Sequence, residues 1–586
     1  MPTYIRLTDY KSSDEKEQEF FNPENRYEAK QEDFSKIPSS PITYWISDNI
    51  FQKFQKIDKL HTIATPRAGM ITGNNENFVK LWFETQIDKI GFNFTNREDA
   101  KTSGFKWFPY QKGGSARKWY GNNEYIVIWE DDGYLLKNTT DSKGKVPAHA
   151  FNEEYIYKAN ANWSAVSSLF TARVTKNGSL FDAGGSAAFP KNELHLYQLA
   201  SFLNSKIANY LLGAINPTIN YQAWNIGNLP LLINSVYKEE IETLTQQNID
   251  ISKEEWDSRE TSWDFTQNEI LRIKNEELKI ENCKLEDAYN KYCEYWREKF
   301  FTLHKNEEEL NRLFIDIYEL QDELTPEVEL KDITILKNEA KIEDGELVFQ
   351  ADEIIKQFIS YGVGVMFGRY SLDSDGLLIA NMGQDIPTST TFEIDDDNII
   401  PVLEDEYFDD DIASRFVEFV KVAFGDEHLK ENVAFIEKNL GVSLRKYFVK
   451  GFYEDHIKRY KKRPIYWMVS SPKKGFMALM YMHRYQSDVF ATIQNGYLRE
   501  YIAKLEASEL NYQREADDTS NSNVQRNRAT KQVQKITKTL DEVIKFDREV
   551  LTSFAQNRVE IDLDDGVKVN YCKFKDILFP ISGLCK

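Results

Sequence analysis

The chain has 586 residues, a net charge of −21, 41% hydrophobic and 13% aromatic residues, and four cysteines. That length exceeds one core and implies on the order of three or four domains, while the composition excludes a disordered or fibrous chain. No apolar run reaches roughly 18 residues and no apolar h-region opens the chain, so a membrane span and a standard export signal are not expected. The cysteines (Cys283, Cys293, Cys572, Cys585) lack CxxC spacing and paired histidines, which argues against zinc and a disulfide framework and for a reducing cytoplasm.

Residues 1–40 are polar, with few apolar anchors beyond Phe20, Phe21 and Tyr27, and read as an N-terminal arm. Residues 41–235 are strand-rich. Tyr125–Trp129 is a β-branched and aromatic run bounded by turn residues, the pattern of a strand. Phe170–Val174 and Ser179–Phe181 flank Asn177-Gly178 and predict a hairpin. His195–Ala214 has apolar residues at helical steps and predicts a helix ending near Asn216-Pro217.

Residues 236–345 read as a helical connector, with Leu285, Tyr289, Tyr292 and Trp296 on one stripe and Leu310, Leu313, Ile317 and Leu320 on another. Residues 346–486 read as a C-terminal α/β domain. Residues 487–560 read as an antiparallel helical hairpin whose polar loop is 514–529, and 561–586 as a tail. The fold class expected is multidomain α+β: a mixed α/β domain, a long helical connector, and an α/β C-terminal domain with a helical hairpin.

No P-loop, HExxH, nucleophile elbow or catalytic triad signature occurs, so no catalytic, cofactor-binding or metal-binding residue is assigned. Gly362-Val-Gly364-Val-Met-Phe-Gly368 departs from GxGxxG and suits close backbone packing instead. Asp562–Gly566 and Asp373–Gly376 resemble half calcium loops, but Lys573 and Gln384 stand at the twelfth position, so turns are expected. His483 lies in an aromatic, basic run and reads as a packed or phosphate-facing histidine.

Charge is segregated. Glu393–Asp411 holds ten acids and no base; Arg445–Tyr485 holds eleven Lys/Arg and two acids. Lys101–Tyr120 holds five bases, no acid and six aromatics around Gly113-Gly114, a composition suited to phosphate contact and base stacking. Candidate DNA contacts follow. The turn at Pro66–Asn75 supplies Arg67, Thr72, Asn74 and Asn75. The basic-aromatic stretch supplies Lys112, Arg117 and Lys118, and the predicted helix supplies Lys206. The long basic run supplies Arg445, Lys446, Lys458, Arg459, Lys461, Lys462, Arg463, Lys473, Lys474 and Arg484.

Ordered blocks along the chain carry a family resemblance. They are Tyr44–Asp48, Pro66–Asn74, Trp107–Gly114, Arg117–Asn122, Phe202–Lys206, Asn216–Thr218, Asp257–Phe265, Met366–Ser371, Arg463–Trp467, Tyr481–Tyr485 and Ile561–Tyr571. On these the chain resembles the C-terminal part of the adenine-specific DNA methyltransferases of BREX phage-defence systems, the PglX/BrxX family. The 44–235 segment also looks like the target-recognition domains of restriction-modification enzymes.

The resemblance implies site-specific recognition of double-stranded DNA for N6-adenine methylation. It implies S-adenosylmethionine as cofactor of the full enzyme, and as partners a methyltransferase domain or subunit and other BREX proteins, with no membrane. The family's catalytic half carries a Gly-rich cofactor loop and Asn-Pro-Pro-Tyr/Phe. Here Asn216-Pro217 precedes Thr218 and Asn22-Pro23 precedes Glu24, so neither can be that motif. Amino-group methylation needs an extruded base beside a methyl donor. The expectation is a target-recognition and C-terminal portion, part of a longer enzyme or half of a split one, inactive alone. The alternative is a scaffold whose helices bind other BREX proteins with only minor DNA contact.

Overall fold

A computed structural model describes every residue except Met1, Asp9, Pro217, Glu281, Ser389 and Lys586; the Pro217 of the Asn216–Thr218 block lies outside the described residues. The fold is α+β. The first 40 residues are more ordered than their polarity suggests. β1 (Thr3–Ile5) pairs antiparallel with β2 (Arg26–Glu28), and Tyr4 stacks on Tyr44 at 4.7 Å.

Two four-stranded sheets follow. The first has the order β3 (Ala64–Arg67), β10 (Ala187–Pro190), β7 (Asn160–Trp163) and β8 (Ala172–Thr175), all antiparallel. The second has the order β4 (Val79–Leu81), β6 (Tyr125–Ile128), β5 (Trp107–Gln111) and β9 (Leu180–Phe181), with β9 parallel to β5. The hairpin expected around Asn177-Gly178 therefore does not form. Gly178 adopts φ 83°, but the turn carries the chain from β8 in one sheet to β9 in the other. The parallel register buries Leu180 and Phe181 beside Tyr110 and Gln111, which a local hairpin could not do.

The helix expected over His195–Ala214 is two, α1 (Leu196–Asn204) and α2 (Lys206–Ile215). Ser205 is extended between them and its hydroxyl accepts from the Ala208 N–H, an N-cap that starts the second. The connector contains α3 (Lys238–Asp257) and α4 (Leu285–Tyr318), then the antiparallel pair β11 (Ala340–Glu343) and β12 (Glu346–Phe349).

In the C-terminal part, α5 (Ala351–Met366) packs with α6 (Ile412–Phe424) and α7 (Leu429–Leu440). They lie beside a sheet of order β13 (Ile400–Pro401), β15 (Met477–Tyr481), β14 (Tyr466–Ser470). Gly362 and Gly364 are packing glycines on α5: a Cβ would lie 2.7 Å from the Phe416 ring and 2.5 Å from that of Tyr370. α8 (Arg499–Asp517) and α9 (Asn523–Phe546) form the helical pair. Their loop is shorter than the polar composition of 514–529 suggests, because Ser522 caps α9 with a capping box.

The tail holds α10 (Gly566–Lys573). It corrects one sequence expectation: Cys572 and Cys585 form a disulfide, closing the end of the chain onto α10. Their separation of 13 residues has no local signature; the turn after Phe574 brings the two Cα atoms to 5.4 Å. Among the described residues no helix is long and apolar enough to cross a membrane, and no cluster of three acidic, His or Cys side chains could hold a metal. Asp562–Gly566 is a capped turn: the Asp562 carboxylate accepts from the Asp564 N–H, and Gly566 takes φ 80°.

Candidate nucleic-acid interface

The basic-aromatic stretch around Gly113-Gly114 turns inward. Trp107, Phe108, Tyr110 and Trp119 are at most 2% exposed and belong to the core of the two sheets. Arg117 and Lys118 are also buried. The Arg117 guanidinium donates to the Glu255 carboxylate at 2.5 Å and to the Ser252 carbonyl at 3.0 Å, and lies over the Trp256 ring. Burial pulls its pKa down and Glu255 opposes that shift. Lys118 and the Trp119 indole N–H both donate to Glu307, at 2.5 and 2.7 Å. These side chains fasten the strand domain to α3 and α4 and are not presented to a ligand. The composition carried a signal of this. Glu307 sits in the apolar stripe Phe300, Leu303, Leu310, Phe314 of α4, where a carboxylate needs a cation.

The basic run is also partly committed. Arg459 is held by Glu260 at 3.3 Å and Glu353 at 3.5 Å. Arg445 pairs with the buried Asp411 at 2.7 Å, and Arg484 donates to the Phe367 and Asp396 carbonyls. His483 is packed: its Nε2 lies 2.9 Å from the Thr85 carbonyl, and burial, with Arg369 next, lowers its pKa to about 3. In the turn at Thr72–Asn75, Thr72 is buried and its hydroxyl donates to the Asn75 side chain at 2.6 Å. The Asn74 side chain caps the Asn77 N–H, and Gly73 takes φ 71°. Arg67 is half-buried on β3 and lies over the Tyr155 ring at 5.4 Å. Lys206 opens α2 beside α4, where its backbone N–H donates to Asn311. Lys462 donates to the Ser582 carbonyl, and Lys474 lies over the Phe579 ring. Lys446, Lys458 and Lys473 are exposed.

Four predicted residues from three distant stretches do meet. Asn75, Lys112, Lys461 and Arg463 line one depression of about 300 Å³, together with Lys80 and Lys568. Its walls carry five cations against two carboxylates, Glu76 and Glu84. Lys80 is anchored, donating to the Glu76 and Asp565 carbonyls at 2.8 and 2.9 Å, and burial lowers its pKa. Glu84 accepts from the Leu81 and Val567 N–H groups at 2.9 Å each and faces Arg463 at 3.6 Å; burial raises its pKa. Lys461 pairs with Glu124, and Lys112 reaches Asp182 at 3.4 Å. Lys112, Lys461 and Lys568 all keep solvent-facing side-chain surface.

The depression exists because the segment around Asp564 docks on the sheet that contains β4, β5 and β6. Asp564 accepts from Lys89 at 3.0 Å, from Lys106 at 2.8 Å and from the Trp107 indole at 3.1 Å. These cations and hydrogen bonds hold the Asp564 carboxyl below its usual range against the burial that would raise it. Phe83 packs edge-on against Tyr460 at 4.7 Å, and the buried Arg369 lies over Trp82 while donating to the Tyr481 hydroxyl at 2.8 Å. Lys80 and Lys568 escaped sequence reasoning because each stands among acidic or apolar neighbours, with no local basic run.

Similarity to known proteins fits this chain throughout its length. It is 38% identical to the adenine-specific methyltransferase PglX of Lacticaseibacillus casei (strain Zhang), over 97% of this chain and 48% of that protein. The chain is homologous to adenine-specific methyltransferases. The BrxX adenine-specific methyltransferase of Escherichia coli O9:H4 (strain HS) is 34% identical over 100% of this chain and 48% of its own length. The chain thus spans about half the length of the PglX and BrxX relatives it matches. No protein-family model matches the sequence.

Proposed function

We propose that this chain recognises a DNA target for a BREX adenine-specific (N6) methyltransferase that marks host DNA in anti-phage defence. The observation that carries the reading is the convergence of Lys112, Lys461, Arg463 and Lys568 beside the Asn75 turn, in a concave site on an otherwise acidic molecule. Cations fix a duplex through its phosphates, and an Asn side chain is the group that pairs with an adenine edge. The PglX and BrxX names supply the chemistry served. Residues 41–235 act as the target-recognition domain, and the C-terminal part closes one wall of the site. A methyltransferase domain or subunit supplies the S-adenosylmethionine site and extrudes the adenine, and other BREX proteins complete the assembly.

A net charge of −21 keeps affinity modest and makes it strongly salt-dependent. Selection of duplexes from a random library by the native chain is expected to enrich one asymmetric sequence. Replacing Asn75 by Ala is expected to relax that preference at one position by ~1–3 kcal/mol while leaving total binding nearly unchanged. A native chain that enriches no sequence would refute target recognition.

A further inference from the structure

The hairpin helices separate charge. α8 carries five acids and three bases, whereas α9 carries Arg526, Arg528, Lys531, Lys535 and Lys538 with no acid before Asp541. Steps of three and four place Arg528, Lys531, Lys535 and Lys538 on one stripe, about 15 Å long at the helical rise. The stripe flanks the face through which Ala529, Ile536, Leu540 and Val543 bury the helix. All four cations are exposed. Lys535 pairs with Glu404 at 2.6 Å, while Arg528, Lys531 and Lys538 have no carboxylate partner among the described residues.

The stripe does not end at Lys538. The next position on it, Glu542, is an acid whose charge is already engaged. Its carboxylate accepts from the backbone N–H of Lys473 at 2.6 Å and of Gly475 at 3.1 Å. That contact seats the exposed β14–β15 turn, with Lys473 and Lys474, at the end of the stripe. At its middle, Lys535 shares a depression of about 240 Å³ with Arg445, Lys446 and Lys450, and with two acids, Glu404 and Asp405. Cations from three separate elements therefore border α9, and none of them lines the depression beside Asn75.

We propose that this face, centred on Arg528, Lys531 and Lys538, binds the sugar-phosphate backbone of duplex DNA outside the recognised sequence. The proposal rests on the reading that the chain binds DNA. Long flexible cations spaced about 5–6 Å apart suit a row of phosphates. Gln532 and Gln534 stand between these cations, but the stripe carries no aromatic side chain that could stack a base and its charges suit phosphates, so its contribution is expected to be largely independent of sequence. The partner is a polyanion by charge complementarity. DNA is favoured over an acidic protein because the stripe is linear and lacks the aromatic or apolar anchors of a protein hot spot.

The test uses the full chain and a random duplex of ~40 base pairs, long enough to reach both surfaces. Binding is titrated against salt for the native chain, for Arg528→Ala/Lys531→Ala/Lys538→Ala, for Lys112→Ala/Lys568→Ala, and for the combination. Alanine at three exposed helix positions preserves the fold, checked by an unchanged urea midpoint. The stripe variant is expected to lower the log–log salt slope by roughly 2 to 3 and to add to the depression variant. A native slope in the stripe variant, with a lower slope in the depression variant, overturns this proposal alone. Absence of salt-dependent binding by the native chain overturns both readings. Loss of poly-glutamate binding with DNA binding intact assigns the face to an acidic protein and overturns the proposal.

Discussion

Arg117 and Lys112 lie in the same basic stretch and have opposite roles. Arg117 is enclosed by Glu255, Ser252 and Trp256, whereas Lys112 faces the depression beside Asn75. Arg117→Ala removes one of the two guanidinium partners of the buried Glu255 carboxylate, which keeps Arg259 and the Leu336 N–H, and is expected to destabilise the chain by about 1.5–3 kcal/mol, read as a lower urea midpoint. Lys112→Ala is expected to leave that midpoint within about 0.5 kcal/mol and to weaken DNA binding. The reverse pattern would contradict the assignment of the two residues. Asp395 gives a pH test. Burial, with Asp397 next, raises its carboxyl to about 7, and its oxygen accepts from the Ile399 N–H at 3.0 Å. A raised carboxyl contributes stability that is complete below the unfolded value near 4 and is lost as pH rises through about 7. Asp395→Asn keeps the acceptor and removes that loss. Its urea midpoint is expected to match the native one near pH 4 and to exceed it increasingly up to about pH 8. Equal midpoints at the higher pH would show that Asp395 is not held protonated.

At the scale of elements, packing decides what local pattern cannot. Gly364 on α5 has the Tyr370 ring where a Cβ would stand, so Gly364→Ala is expected to destabilise by about 1–3 kcal/mol through overpacking. A neutral or stabilising result, measured in urea, would mean that Tyr370 moves aside freely. The amphipathic helices α4, α8 and α9 and the strand at Tyr125 were legible, because their periodicity is local. The Asn177-Gly178 turn was legible as a turn and misleading as a hairpin: the partner of β9 is β5, far back in the chain. The single helix over His195–Ala214 hid a capping serine at Ser205. The disulfide between Cys572 and Cys585 was not legible, since it depends on how the tail folds back past α10.

Over the whole molecule, the same limit applies to the site. Basic runs announce cations but not their partners, and Lys118 meets Glu307 189 positions later. The depression beside Asn75 is assembled from the strand domain, the basic run and the tail, so its outline follows from tertiary docking alone. Asp564 is central to that docking through Lys89, Lys106 and Trp107. Two blocks that resemble the methyltransferase family, Met366–Ser371 and Tyr481–Tyr485, serve it structurally through Arg369 and His483. The most direct test of the DNA-reading account is the salt dependence of duplex binding by the native chain and by Lys112→Ala/Lys461→Ala/Lys568→Ala. The account predicts a steep native dependence and a log–log slope lower by roughly 2 to 3 in the variant, with the urea midpoint kept. A flat native dependence, or one that the three substitutions leave unchanged, would contradict it.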